Sequence, residues 1–209
     1  MKHRTVSGKI RYTSMKPGLE GQERGRESFS FTHHTDGSVI LRATCEIEEP
    51  DPTVLRDITY HLGPDMLPLN LHVHLTIGDA FMGSGWLRHD PETQTIECES
   101  FGPSIGRVSQ QVRAGTFDAF GTHPVVGDGY LARKMDTGKG PHRRTMRCFL
   151  PSPDHRGATP PLIAEVNGRR FEIRLFGEPA PVRAASSGSR GPARPRQSAQ
   201  GAAANGSAL

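Results

Sequence analysis

From Thr5 to Phe176 the apolar residues recur mostly at every second position, in short runs bounded by Gly, Pro, Asp and Asn. Successive side chains of a strand point to opposite faces, so this period dictates half-buried β-strands and leaves no room for long amphipathic helices. Strands are expected near Val6–Tyr12, Glu27–His33, Val39–Glu48, Val54–His61, Leu69–Ile77, Phe81–Arg88, Gln94–Phe101, Gly106–Val112, Thr145–Leu150, Leu162–Val166 and Arg169–Phe176. The turns fix pairings. In HTDGSV a three-residue loop, Thr35-Asp36-Gly37, with glycine in the left-handed position, sets His33 opposite Val39, Phe31 opposite Leu41 and Phe29 opposite Ala43. In AEVNGRRFE the Asn167-Gly168 pair sets Ala164 opposite Phe171 and Leu162 opposite Ile173.

Strands that follow one another in sequence order leave exposed edges unless the sheet closes. The expected class is therefore all-β, an antiparallel meander closing into a barrel or half-barrel with one short helix. That helix is expected over Gly129–Met135, capped by Asp128 and stopped by DTGKGP. The barrel domain is expected to span 1–178, followed by a disordered tail over 179–209. The tail, which includes PVRAASSGSRGPARPRQS, has no acidic residue and almost no large apolar one, so it cannot bury enough surface to offset its ordering entropy. A barrel of this strand number can enclose one small ligand.

The arrangement resembles the lipocalin-like barrels, a grouping that carries or transforms small apolar molecules. The Gly-x-Trp signature of lipocalins belongs on the first strand, whereas the single tryptophan here, Trp86, lies mid-chain in GSGW. The resemblance is one of topology and transfers no residue roles.

The chain carries a formal net charge of +4, but Arg183, Arg190, Arg194 and Arg196 lie in the tail, so the body is about neutral. Together with the absence of a zinc-finger or RNA-binding signature, this argues against nucleic acid as the main partner. Cys45, Cys98 and Cys148 are scattered, without CxxC spacing, and read as reduced core thiols. The N-terminus MKHRTVSGKIRY lacks an apolar signal region, and no stretch approaches 18 apolar residues. The expectation is a cytoplasmic protein with no membrane span; oligomeric state is not written in the sequence.

Chemistry concentrates in LNLHVHLTIGDAFMGSGW, Leu69 to Trp86. Matching apolar faces pairs Tyr60 with Leu71 and Ile58 with Val73, which brings Asp57 across from His74 and leaves Thr59, His61, Asn70 and His72 on the same face. A Gly78-Asp79 turn then pairs Leu75 with Met82, Val73 with Ser84 and Leu71 with Trp86, and puts Gly83 and Gly85 opposite His74 and His72. Glycines facing imidazoles read as a bend or as space for a ligand. The following hairpin brings Gly85 near Cys98 and moves Glu97 and Glu99 to the face of Trp86. Either a cavity lining of mixed character or a bulge that has changed the phase accounts for that, and the bland alternative is an ordinary solvated sheet face.

Imidazole titrates near neutrality, and an opposed carboxylate fixes its tautomer. The expected catalytic set is therefore His72, His74 and Asp57, with His61, Tyr60, Trp86, Gly83, Gly85, His123 and Tyr130 as substrate-binding residues. The expected function is cofactor-independent acid–base chemistry by a lyase, isomerase or hydrolase. Its partner would be a small hydrophobic molecule, aromatic or terpenoid. A non-catalytic carrier or sensor is one alternative. A metal-dependent, cupin-like enzyme using HxH, Asp79 and His123 is another, but its ligand spacing departs from the cupin pattern and no metal residue is assigned. His155 and Arg156 in LPSPDHRGATPP are candidates to meet an anionic group, and Arg42, Arg56 and Arg88 read as partners for Glu97 or Glu99. No serine-nucleophile elbow or phosphate-binding loop is present, so no cofactor is expected.

Overall fold

A computed structural model describes residues 3–48, 51–134, 143–151, 161–163 and 169–174. Eight strands form one antiparallel sheet in sequence order: β1 (Arg4–Thr13), β2 (Glu23–His33), β3 (Val39–Ile47), β4 (Val54–Leu62), β5 (Pro68–Ile77), β6 (Ala80–Asp90), β7 (Thr95–Gly102) and β8 (Gly106–Arg113). β1 and β8 do not pair, so the meander stays an open half-barrel. A second sheet has the order β11-β10-β9, from β9 (Ala119–Phe120), β10 (Arg143–Phe149) and β11 (Arg169–Arg174), with β9 parallel to β10. Between β9 and β10 lies one short helix, α1 (Val125–Leu131), continued by a 3-10 turn at Ala132–Lys134.

The period-two pattern puts Leu41, Leu71, Leu87 and Ile96 on the concave face, all fully buried. Phe117, Phe120, Val126, Tyr130, Phe149 and Ile163, contributed after β8, pack against them as one cluster. Each such side chain contributes about 1.5–3 kcal/mol by leaving water. The hollow expected inside the barrel is thus filled by the chain's own core. Cys45, Cys98 and Cys148 are buried, unbridged members of this interior, and burial pushes the Cys98 thiol up to about 11 and Cys148 up to about 12.

The expected eight meander strands and the strands at Arg143–Phe149 and Arg169–Arg174 are present, with ends shifted by a few residues. The three-residue loop pairs His33 with Val39 as its turn residues require, with Gly37 at φ +88°. Two expectations outside the meander are corrected. The helix starts at Val125, so Asp128 sits inside it rather than capping it. Leu162 belongs to irregular chain, and its expected partner Ile173 pairs with Arg144. The Asn167-Gly168 turn and the tail lie outside the described residues. Among the described residues no helix is long and apolar enough to cross a membrane.

The β4–β5 register is the one dictated by the apolar faces: Tyr60 pairs with Leu71, Ile58 with Val73 and Asp57 with His74. The β5–β6 register is not. The Gly78-Asp79 turn closes as expected, with Ile77 opposite Ala80, but Thr76 faces Phe81 and Leu75 faces Gly83, which leaves Met82 as an extra residue in a β-bulge. Every later pairing moves by one: Gly85 faces Val73, and Trp86 faces His72. Gly83 and Gly85 therefore lie on the buried concave face, away from the histidines. Gly85 is glycine because the neighbouring strand comes close. A Cβ there would stand 2.5 Å from the Glu99 carbonyl oxygen and 2.9 Å from Ser100 Cα.

Because backbone cannot yield as a side-chain tip can, Gly85→Ala is expected to cost about 1–3 kcal/mol, read as a lowered melting temperature. Gly129 in α1 has nothing within 4 Å of its Cβ position, so Gly129→Ala is expected to raise stability by up to about 1 kcal/mol. Equal effects of the two would contradict the close approach.

Candidate functional site

On the concave face the row Ile10, Glu27, Cys45, Arg56 runs across β1 to β4. Glu27 and Arg56 are buried there despite their charge. The Glu27 carboxylate accepts hydrogen bonds from the Tyr12 hydroxyl and from the Val125 and Val126 amides, the latter two at 2.9 and 3.0 Å. Those amides open α1 and have no partner within the helix, so a side chain from β2 caps a helix that begins 98 residues later. A buried carboxylate is tolerable only when donors surround it in this way. Tyr60 fixes the next segment, its buried hydroxyl accepting the Phe120 amide at 2.9 Å.

Asp128, half-buried on α1, has no comparable set of donors. Burial and then the Glu27 carboxylate push it up to about 7. Glu27, held by its three donors, is thus the group that sets how α1 rests on the sheet.

What α1 carries is one wall of a cleft of about 360 Å³ at the rim of the half-barrel. Tyr130 and Arg133 line it from the helix side, His33, His34 and Val39 from the β2–β3 hairpin, and Asp65 and Met66 from the β4–β5 connection. Tyr130 stacks on Phe31, ring centroids 4.8 Å apart, and the Arg133 guanidinium lies 5.1 Å over the Tyr130 ring while donating to its hydroxyl at 3.0 Å. Asp65 and Met66 both hold left-handed backbone, at φ 58° and 60°. That conformation costs a non-glycine residue about 1 kcal/mol or more and persists only where the surroundings impose it. His34 Nε2 is hidden from solvent and has no hydrogen-bond partner among the described residues.

The residues singled out in the sequence separate into groups. His72, His74, Asp57, His61 and Trp86 share the outer face of the sheet, where His72, Asp57 and Trp86 are exposed. Asp57 and His74 are opposed in register, but the Asp57 carboxylate accepts from the Thr44 hydroxyl at 2.6 Å and the His74 ring lies 5.1 Å from that of Phe81. Partial desolvation of the ring among its neighbours and the nearby His74 push the His72 pKa down. His61 Nδ1 meets the Asn70 amide at 3.4 Å. Tyr60, Gly83 and Gly85 belong to the interior. His123 sits half-buried in the loop before α1, and Tyr130 alone of the expected residues lines the rim cleft. Among the described residues no three His, Cys, Asp or Glu side chains converge as a metal site requires. Arg88 pairs with Glu97 as expected, and Arg56 lies on the concave face, across the sheet from Glu97 and Glu99. His155 and Arg156 lie outside the described residues.

Sequence reading missed Glu27, His33, His34 and Arg133. Glu27 had a usable signal, since it shares a strand face with Phe29 and Phe31, opposite Cys45, so a carboxylate on that face had to be buried and partnered. Neither a protein-family model nor a curated protein nor a solved structure matches this chain, so its function is read from its own geometry.

Asp128 yields a pH signature. A carboxyl with a raised folded-state value keeps its proton while the unfolded chain has lost it, so it lowers stability progressively as pH rises from about 4 to about 7. Asp128→Asn is expected to remove that slope, leaving stability near pH 4 unchanged and raising it at pH 8 by about 1–2 kcal/mol in denaturant titrations.

Proposed function

We propose that this protein binds one small molecule, with an acidic group and an apolar or aromatic body, in the rim cleft. Arg133 with the His33 and His34 imidazoles supplies donors for the acid, and Tyr130, Val39 and Met66 supply apolar surface for the body. The observation that carries this reading is His34 Nε2. A buried polar atom without a partner costs about 1–3 kcal/mol, and on this reading a turn of the His34 ring, which lines the cleft, lets the ligand's acid supply the missing bond. The two left-handed residues in the opposite wall support it, because strained backbone persists where a site needs its shape. The volume lies at the small end of the roughly 300–1,000 Å³ typical of ligand pockets. Carriage or sensing of a small molecule is also the use expected of a lipocalin-like meander, here with the ligand at the rim of an open sheet whose interior is filled.

A panel of small aromatic carboxylates, screened by NMR against the full-length protein, tests the proposal. Shifts confined to the cleft residues His33, His34, Val39, Met66, Tyr130 and Arg133 are expected, with affinity falling about tenfold or more in Arg133→Gln, the loss of one charge-assisted contact. Shifts mapping elsewhere, or an unaffected Arg133→Gln, would sink it.

Acid–base catalysis by Asp57, His74 and His72 has one supporting observation, the register that opposes Asp57 to His74. The two readings part at His74→Gln. On the binding reading the cleft keeps its affinity and no bound compound is converted by either protein. On the catalytic reading conversion occurs and is lost in the variant.

A further inference from the structure

Phe81, Trp86 and Phe101 remain 37%, 37% and 54% exposed, and they stand together on the outer face of β5 to β8. Cross-strand pairing places Trp86 between His72 and Glu99, and Ser84 between His74 and Phe101. The Phe81 and Phe101 rings lie 6.3 Å apart and 21° from parallel, and His74 extends the row from Phe81 at 5.1 Å. This is a shallow aromatic platform on a rigid sheet, with its back against the core.

The charges nearest the rings are paired with one another. Arg88 donates to Glu97 at 2.6 Å, and Arg107 to Glu99 at 3.3 Å. Ser109 and Gln111 also donate to these carboxylates, at 2.5 and 3.3 Å. With Arg88 and Arg107 each engaged by a carboxylate, the rings have, among the described residues, no row of free cations beside them to offer a polyanion, and single-stranded nucleic acid needs cations along its backbone as well as stacking rings. A second copy of the chain is a poor fit too. Three partly exposed rings expose about 200–300 Å² of apolar surface, against roughly 800 Å² per partner in a stable interface.

A neutral sugar answers each of these features. The C–H groups on one side of a pyranose carry small positive charges and rest on the negative face of an aromatic ring. Its hydroxyls both donate and accept, matching carboxylate oxygens, the Ser84 hydroxyl and two imidazoles. We propose that the outer face of β5 to β8 binds a neutral glycan, with sugar rings stacked on Trp86 and Phe101 and hydroxyls meeting Glu99, Ser84, His72 and His74. This site is separate from the rim cleft and stands on its own observations.

An array of neutral glycans (glucans, mannans and galactans) probed with the full-length protein tests it, followed by titration of the best binder against the emission of Trp86, the single tryptophan. Saturable binding is expected, with a shift in Trp86 emission. Affinity should fall about tenfold or more in Phe101→Ala, and array binding should be lost in Trp86→Ala. Both side chains face outward, so melting temperatures should stay within a few degrees of the parent, and Arg133→Gln should bind as the parent does. The proposal is overturned if no neutral glycan binds or if both variants retain binding. It is equally overturned if the platform engages oligo(dT) instead, or drives a dimer that Phe101→Ala abolishes.

Discussion

An open sheet of eight strands exposes a concave apolar face that water will not tolerate, and Phe117, Phe120, Val126, Tyr130, Phe149 and Ile163, contributed after β8, answer that constraint. The answer is anchored by one buried carboxylate. Glu27 takes the first two amides of α1 and the Tyr12 hydroxyl, so the helix, the first strand and the second are joined at a single side chain. The hydrophobic effect holds the cover against the sheet without specifying where it rests. The directional bonds to Glu27, with that from Phe120 to Tyr60, provide the position. Tyr130 and Arg133 reach the rim cleft because the helix carrying them is held in that place.

The two faces of the sheet consequently do different work. The concave face is consumed by folding and leaves the rim cleft where the cover ends, at the β2–β3 hairpin. The outer face has no structural duty beyond its ladders, and its aromatic, histidine and carboxylate side chains are available for contact. Burial thus divides the chain between residues fixed by packing and residues open to a partner, and the strand period performs that division residue by residue.

Much of this was legible in the residues. The period of two fixed the meander, Gly37 fixed one hairpin, and matching Ile58 and Tyr60 with Val73 and Leu71 fixed the β4–β5 register. What escaped was whatever depended on contacts distant in sequence or on a local irregularity. Nothing around Pro124 announces a cap supplied by Glu27, so Asp128, the nearest capping residue type, was expected to start the helix. β9 is two residues long and exists only by pairing with β10. The placement of the glycines opposite the histidines failed through one residue, Met82, since a bulge is invisible to alternation until later strands are found out of phase. The conflict over Glu97, Glu99 and Trp86 was that signal, and the bulge resolves it: all three lie on the outer face.

The bulge bears on how this chain tolerates changes of length. β6 has one residue more than its ladder with β5 uses, and the surplus, Met82, is the third residue after the turn. Losing a residue there would convert the irregular step into plain alternation while leaving Leu87 inward and Trp86 outward. The same loss a few positions later would turn the remainder of the strand inside out. Insertions and deletions among related chains should therefore be tolerated at this rim, next to the aromatic platform, where the shape of the sheet can be altered without reassigning any other residue to a new side.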